Sequence, residues 1–468
     1  MQPEAGRAVF SWRTTIVDKE PDVIILGAGV AGLAAAIDLS QGGLAVAILE
    51  ARDRIGGRIF TQPSAGGSPV ELGAEFVHGL SPEIWQPFQE HHVPLTELSG
   101  ENWCVRRGQL CACDFFAQAD RILSKMDDSG PDESFLQFLR RAFPESDRDP
   151  ELQEAKEWAI GYVSGFNAAD SADVSVHWLV AQMRADGQIE GDRAFRPANG
   201  YATLLKIFSG NLKDAGVPVQ LSTPVRQIRW HHGGVEIRAG KQGSEMSFIA
   251  PRALITLPLG VLQASPPLEG AVSFIPDLPP AKAEAFQNLA MGKVVRLTLE
   301  FRRPFWENIS AKCGRDSTTL SNLSFLLSRN PAFPTWWTML PERRPVITGW
   351  APAMSAVEVS RAGEEEAVNR ALAALSELLQ FEKSEMEELL ENSYFHDWQG
   401  DPYSRGAYSY ARVGGAKASR ALGAPVDDTL FFAGEATDVS GHNGTVHGAI
   451  ASGKRAAAEI LRSHLARK

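Results

Sequence analysis

Two neighbouring runs of residues are spaced for phosphate chemistry. Gly27-Ala28-Gly29-Val30-Ala31-Gly32 is a GxGxxG run set directly behind the apolar stretch Val23-Ile24-Ile25-Leu26. Gly27 makes the tight turn, Gly29 lets backbone approach a pyrophosphate, and Gly32, after Ala31, packs helix against strand. The helix N-terminus then faces the anion. About twenty residues on, Glu50 ends a second apolar stretch, where a carboxylate accepts hydrogen bonds from ribose hydroxyls and disfavours a 2′-phosphate. Behind it comes Ala51-Arg52-Asp53-Arg54-Ile55-Gly56-Gly57-Arg58. Gly57 permits close backbone approach, and arginines such as Arg58 can grip phosphate bidentately. A solvated basic turn has no use for the glycine pair, so this run favours FAD over NAD.

These residues need a strand–turn–helix–strand frame, and the patterning supplies one. Val23–Leu26 and Ala45–Leu49 read as fully buried strands, joined by an Ala- and Leu-rich helix running to about Leu39. Residues 82–212 read as helices, 217–255 as short alternating strands, and 290–350 as further strand-like runs. Residues 363–391 read as an acidic helix pair. The chain from Thr429 reads as strand, Gly-rich turn, and a helix from about Val446 to Arg462. Nucleotide-domain material recurs at separated points. The predicted fold is α/β: a Rossmann-type FAD-binding domain (GR2-like) with a discontinuous α+β substrate-binding domain. Residues 20–80, 215–265 and 400–468 would form the first, and 81–214 and 266–399 the second.

The chain has 468 residues, 44% hydrophobic and 22% charged, with a net charge of −11. That composition is globular. The acidic balance repels nucleic acid and acidic lipid and draws in small cations. Four cysteines, Cys104, Cys111, Cys113 and Cys313, are too few for a disulfide framework, and the two-residue spacing of Cys111 and Cys113 fits no zinc site. All four are expected as reduced thiols, and no metal is expected. The first twenty residues read as a poorly ordered lead-in without a secretory signal. No window approaches the roughly 18 apolar residues of a membrane span. A cytoplasmic monomer or homodimer is expected.

DVIILGAGVAGLAAAIDL…ILEARDRIGGRI resembles the opening of the flavin amine oxidase family, which includes polyamine oxidases, monoamine oxidases and histone demethylases. The likeness resumes at Val70 to Gly79, Thr223-Pro224-Val225, Leu257 to Leu262, Gly292-Lys293-Val294, Trp398 to Tyr410, and Leu430 through Ala449. The segments 80–220 and 300–395 match only in general character.

The resemblance implies roles for particular residues. Glu50 would hold the adenosine ribose, with Arg52 and Arg58 along the pyrophosphate. The main chain of Gly73, Ala74, Glu75 and Phe76 would border the flavin ring. Val225 would touch adenine through its backbone. Gly434 belongs to the block in which Glu435 meets the ribityl chain. Thr445 and Val446 would lie at a helix N-terminus under the flavin, where a positive helix end favours negative charge. Lys293 would hold a water beside flavin N5; a lysine entering a buried strand needs such a partner. Tyr408 would form an aromatic wall that orients an amine, and Trp398 would pack near the dimethylbenzene edge. His78 could accept a proton, and Glu75 could bind a distal ammonium or pair with an arginine. Ala407 stands where monoamine oxidases carry a flavin-linked cysteine, so FAD should be non-covalent. Their second cage tyrosine falls at Thr445, leaving one aromatic wall.

The implied reaction is oxidation of a C–H bond beside an amine nitrogen: hydride to flavin N5, hydrolysis of the imine, and reoxidation by O2 to hydrogen peroxide. Hydride leaves readily only from the neutral amine, so activity should rise with pH. The expected partners are a small-molecule amine, polyamine or monoamine, and O2. An L-amino-acid oxidase of the same fold would need Arg196 or Arg405 to clamp a carboxylate. A flavin desaturase would need a wider apolar site. A chromatin-type flavoprotein module is the non-enzymatic alternative.

Overall fold

Val23-Ile24-Ile25-Leu26 is apolar without alternation because the strand it forms is covered on both faces, which is the habit of a parallel sheet. In the computed structural model, which describes residues 20–466 apart from 107, 145–148, 242 and 314–315, it is the centre of a five-stranded sheet. β1 (Val23–Leu26) pairs in parallel with β2 (Val46–Leu49) and with β4 (Arg252–Ile255). β3 (Val219–Gln220) adds beside β2 and β5 (Leu430–Phe432) beside β4, both parallel, giving the order β3-β2-β1-β4-β5. The reading of residues 1–19 as a lead-in lies outside the described residues.

The glycines of the fingerprint serve separate purposes. Gly27 has φ +107°, a conformation that L side chains rarely adopt. A Cβ on Gly32 would sit 2.2 Å from the Gly27 carbonyl oxygen, so only glycine lets α1 (Val30–Gln41) start this close to the strand. A Cβ on Gly29 would meet nothing within 4 Å, because that position opens into a cavity. α1 lies against the long C-terminal helix α5 (Val446–Ala466), where Gly453 leaves no room for a Cβ beside the Ala31 carbonyl.

A seven-stranded sheet forms the wall opposite, in the order 390–395, 294–301, 346–352, 335–338, 323–327, 101–106, 109–112. Val294–Phe301 is buried along its whole length, with Trp336, Phe301 and Phe333 in the core behind it. The acidic helix pair expected at 363–391 forms at Glu364–Leu379 and Lys383–Leu389. Two features depart from the sequence-based reading. The stretch read as all-helical contains the hairpin Glu101–Arg106/Gln109–Ala112, whose apolar residues pair across strands and not along a helix face. Helices α2 (Pro82–Glu90) and α4 (Ala202–Asp214), placed by sequence in the second unit, bury Ile84, Phe88, Leu204 and Phe208 in the cluster that holds α1 and β1.

The cysteines are not free. Cys104 is bonded to Cys113 and Cys111 to Cys313, with Cα separations of 5.8 and 5.0 Å, inside the range a disulfide spans. Cys104 and Cys111 face each other in the hairpin, yet each bonds a cysteine outside it. Cys313 arrives from a strand pair 202 residues away. Composition was the wrong guide because a large chain can use disulfides locally. Disulfides persist in oxidising compartments, so the compositional argument for a reducing, cytoplasmic setting is withdrawn. Among the described residues no helix is long and apolar enough to cross a membrane, and no group of three or more His, Cys, Asp or Glu is placed to hold a metal ion.

Candidate functional site

One cavity of about 990 Å³ runs from the glycine fingerprint to the face of the seven-stranded sheet. It begins at the carboxyl ends of β1 and β2, the usual place for a ligand in an open parallel sheet. Glu50 is buried there, with one carboxylate oxygen accepting from Ala28 N at 2.7 Å and the other from Arg52 N at 2.8 Å. Burial raises its pKa, against these two backbone donors. Gly56 N donates to Ala28 O, closing the Gly56-Gly57 loop over the fingerprint, and the Gly57 Cβ position faces Gly29. Ala31, Ala51, Arg52, Gly57, Arg58 and Val225 line this end.

The two arginines are fixed by acids: Asp401, to which sequence reasoning gave no role, and Glu435, which it set against the ribityl chain and not against Arg58. Arg52 Nη2 donates to Asp401 Oδ2 at 2.8 Å and Ser404 Oγ at 2.9 Å. Asp401 also takes His396, and against the desolvation that opposes charge these partners hold its carboxyl well below the usual range. Arg58 Nη1 donates to Glu435 Oε1 and to the Ala407 carbonyl. The other Glu435 oxygen accepts from Ser409 Oγ at 2.6 Å and Gly444 N at 3.0 Å. Glu435 therefore ties the Arg58 loop, the Tyr408 strand and the entry to α5 together, while Gly434 before it has φ +120°. Thr445 caps α5, its hydroxyl accepting from Gly448 N, and Thr445 and Val446 line the cavity. Gly73 is pressed between the Arg58 carbonyl and Trp398, whose Nε1 donates to Leu72 O at 2.7 Å. Gly73, Ala74, Glu75, Phe76 and Trp398 all border the cavity. A helix N-terminus, an acid at the end of β2, two arginines and glycine openings along one continuous channel fit an extended dinucleotide.

Beyond this region the walls are aromatic. Tyr408 donates its hydroxyl to Phe166 O at 2.7 Å, and burial pushes that hydroxyl's pKa up. The Phe166 ring lies edge-on to His78 at 5.3 Å and stacks on Tyr162 at 5.2 Å. Phe76 meets both His78 and Trp337. Burial depresses His78 to about 4, so its imidazole is neutral near pH 7.

Glu75 is not available to substrate. It is buried, with Arg196 Nε at 2.6 Å, Arg296 Nη2 at 2.5 Å and Trp337 Nε1 at 3.0 Å; these outweigh desolvation and lower its pKa. Nothing in the linear order brings Arg196 and Arg296 to one carboxylate; the crossing of two sheets does. Arg196 spends its remaining nitrogens on the carbonyls of Leu340 and Thr338, and Arg405 turns to the Glu269 carbonyl. Neither is presented as a carboxylate clamp. Lys293 also departs from the expected burial: it is exposed, has no partner for its ammonium among the described residues, and is not among the lining side chains. Its neighbour Gly292 is bonded to the Tyr408 segment, N to Tyr408 O at 2.7 Å and O from Ala407 N at 2.9 Å. Residues missed by sequence reasoning are Asn167, Gln182 and Asp186, in the segment that matched only in general character; they line the cavity far from any recognised block.

The family model for flavin-containing amine oxidoreductases matches residues 30–109 and 105–461. Polyamine oxidase 2 of Arabidopsis thaliana is 29% identical over 478 residues, covering 96% of this chain and 89% of that protein. Polyamine oxidase 4 of Oryza sativa subsp. japonica is 28% identical over 475 residues, 96% and 90% of the two chains. Human lysine-specific histone demethylase 2 is 28% identical over 94% of this chain but only 53% of its own length. Among solved structures, putrescine oxidase bound to putrescine superposes with a TM-score of 0.77 at 22% identity, over 95% of this chain and 99% of that one. Cyclohexylamine oxidase from Brevibacterium oxydans gives 0.76 at 19%, over 96% and 100%. These two likenesses establish a shared mixed α/β fold.

Proposed function

The chain belongs to the flavin-containing amine oxidoreductase family, and we propose that it is an FAD-dependent oxidase of a primary or secondary amine, with FAD bound non-covalently in a Rossmann-type domain. The observation that carries this reading is the continuity of the cavity from Gly29 and Glu50 to Tyr408 and His78. Gly29, Glu50, Arg52 and Arg58 would hold a dinucleotide along the first part, and its redox chemistry would then be supplied beside the aromatic second part. When bound, FAD supplies the two-electron acceptor at N5 for the C–H bond beside nitrogen, and O2 takes the electrons on as peroxide.

The protein's share of the work is orientation and charge control. Tyr408, fixed by its bond to Phe166 O, offers a ring face to the amine. His78 and the rings of Phe76 and Phe166 give the amine a poorly hydrated pocket, which favours the neutral form from which hydride leaves. Because His78 is itself neutral near pH 7, it adds no positive charge against an arriving cation. Ala407, whose carbonyl accepts from Arg58, has no side chain that could bond the flavin. Lys293, joined through Gly292 to the Tyr408 strand, is proposed to serve the flavin's N5 through water.

An amino-acid substrate lacks support, since Arg196 and Arg405 are both engaged elsewhere. The test is peroxide release by the purified yellow protein across polyamines, acetylated polyamines, arylalkylamines and amino acids. Peroxide from amines alone is expected; peroxide only from amino acids would overturn the reading.

A further inference from the structure

Residues Trp178, Gln182 and Asp186 recur every fourth position on α3 (Val176–Gln188) and so share one face, which borders the cavity. The polar capacity of that face is spent in order. Trp178 Nε1 donates to Asn443 Oδ1 at 3.1 Å, and Gln182 Oε1 accepts from Asn167 Nδ2. Asp186, one turn further, has neither hydrogen bond nor ion pair for its carboxylate among the described residues. Two more buried polar atoms nearby lack partners among the described residues: Asn167 Oδ1, an acceptor, and His447 Nε2, a donor or an acceptor according to its tautomer. His447 packs edge-on against His442 at 4.6 Å, and His442 is the charged-capable group that Asp186 feels. α3 packs tightly against the Gly441 turn, where a Cβ would lie 2.8 Å from the Ala181 carbonyl oxygen.

Two open acceptors, the Asp186 carboxylate and Asn167 Oδ1, along one part of a cavity describe a missing donor. A buried polar group left unpaired is costly, and an ammonium carries three N–H donors and the charge that a carboxylate prefers. The other lining carboxylates do not compete: Glu97 is held by two bonds from Arg193, and Asp192 is exposed. Burial raises Asp186 to about 6, against the pull of His442, so it remains mostly ionised at pH 7 and gains by acquiring a cation.

We propose that Asp186, with Asn167 Oδ1, whose amide is bonded to Gln182 one helical turn from Asp186, forms the subsite for the far ammonium of a diamine or polyamine whose reacting amine lies at Tyr408. This rests on the amine-oxidase reading and assigns its substrate class: a long cation with charge at both ends. A monoamine would leave Asp186 unmatched.

The test compares 1,4-diaminobutane and spermidine with butylamine, using FAD-loaded wild type, Asp186→Asn and Asp186→Glu. The wild-type ratio of kcat/KM, diamine to butylamine, is expected to exceed about 30, and Asp186→Asn should collapse it at least ~10-fold, mostly through KM, with Asp186→Glu recovering part. A ratio near one in wild type, or one that Asp186→Asn leaves alone, overturns the proposal while amine oxidation stands; a water molecule would then be the missing donor. Should no amine release peroxide, the amine-oxidase reading falls. The subsite is then read by thermal shift: greater stabilisation by diaminobutane than by butylamine, lost in Asp186→Asn, supports it, and equal shifts overturn it. Flavin content equal to wild type controls for misfolding.

Discussion

Arg58 and Glu435, 377 positions apart in the chain, meet at 2.8 Å across the middle of the cavity, and the same Arg58 nitrogen donates to Ala407 O at 2.7 Å. Glu435 answers with three further donors from Ser409 and Gly444. An amide in its place would turn an N–H toward groups that are themselves donors. Glu435→Gln is therefore expected to cost about 2 kcal/mol of stability, with sub-stoichiometric flavin. Denaturant midpoints and the flavin-to-protein absorbance ratio check both.

Ala407 is the basis for proposing non-covalent cofactor binding. Acid or heat denaturation of the yellow protein should release all flavin as FAD into the supernatant. Colour retained in the pellet would refute it.

Lys293 has no partner for its ammonium among the described residues and is joined to the Tyr408 segment through Gly292. Lys293→Met should keep FAD bound and slow one half-reaction at least ~10-fold, about 1.4 kcal/mol in the barrier. Stopped-flow traces of reduction and reoxidation identify which half. Wild-type rates in both would make Lys293 a surface residue.

Two buried histidines make the fold acid-sensitive. Burial holds His78 at about 4 and His447 at about 3, whereas an unfolded chain protonates near 6.5. The unfolded state thus binds more protons between these values, so the stability contributed is full above about 6.5 and is lost as pH falls toward 4 and below. Glu71 works in the opposite sense: burial raises it to about 7, so its contribution is lost as pH rises from 4.5 through 7. The readout is therefore a difference. His447→Gln should flatten the fall in stability between pH 6.5 and 4 by on the order of 1–2 kcal/mol, and an unchanged slope would count against a neutral buried His447.

The disulfides are testable directly. Native protein without reductant should titrate no free thiol, and Cys313→Ala, opening a link across 202 residues, should cost roughly 2–4 kcal/mol. Four titratable thiols in the folded protein would contradict the pairing.

The nucleotide half was legible because its chemistry is local. Gly27 to Gly32 must follow a strand and open a helix, and Glu50 must end the next strand, so spacing alone located them. The start of α5 near Val446 was legible from its pattern, whereas Thr445 itself was named only through the family resemblance. The substrate half was not, since its pairings are made by sheet crossing. Glu75 could be assigned only once Arg196 and Arg296 were seen on either side of it. Cys111 and Cys113 were misread because a two-residue spacing says nothing about a partner such as Cys313. Asp186 carries no signal in the sequence; what distinguishes it is that its carboxylate has no hydrogen-bond or ion-pair partner among the described residues.

The five strands of the parallel sheet come from residues 23–49, 219–255 and 430–432, and α5 closes over α1 last of all. During synthesis, then, the first strand and the glycine turn leave the ribosome some four hundred residues before β5 can dock. Until then β4 presents an unpaired edge and α1 an uncovered face, the kind of surface that aggregates or recruits chaperones. The Glu435 clamp on Arg58 is also missing. The channel walls contributed by Glu435 and α5 are therefore completed only when the C-terminal segment arrives.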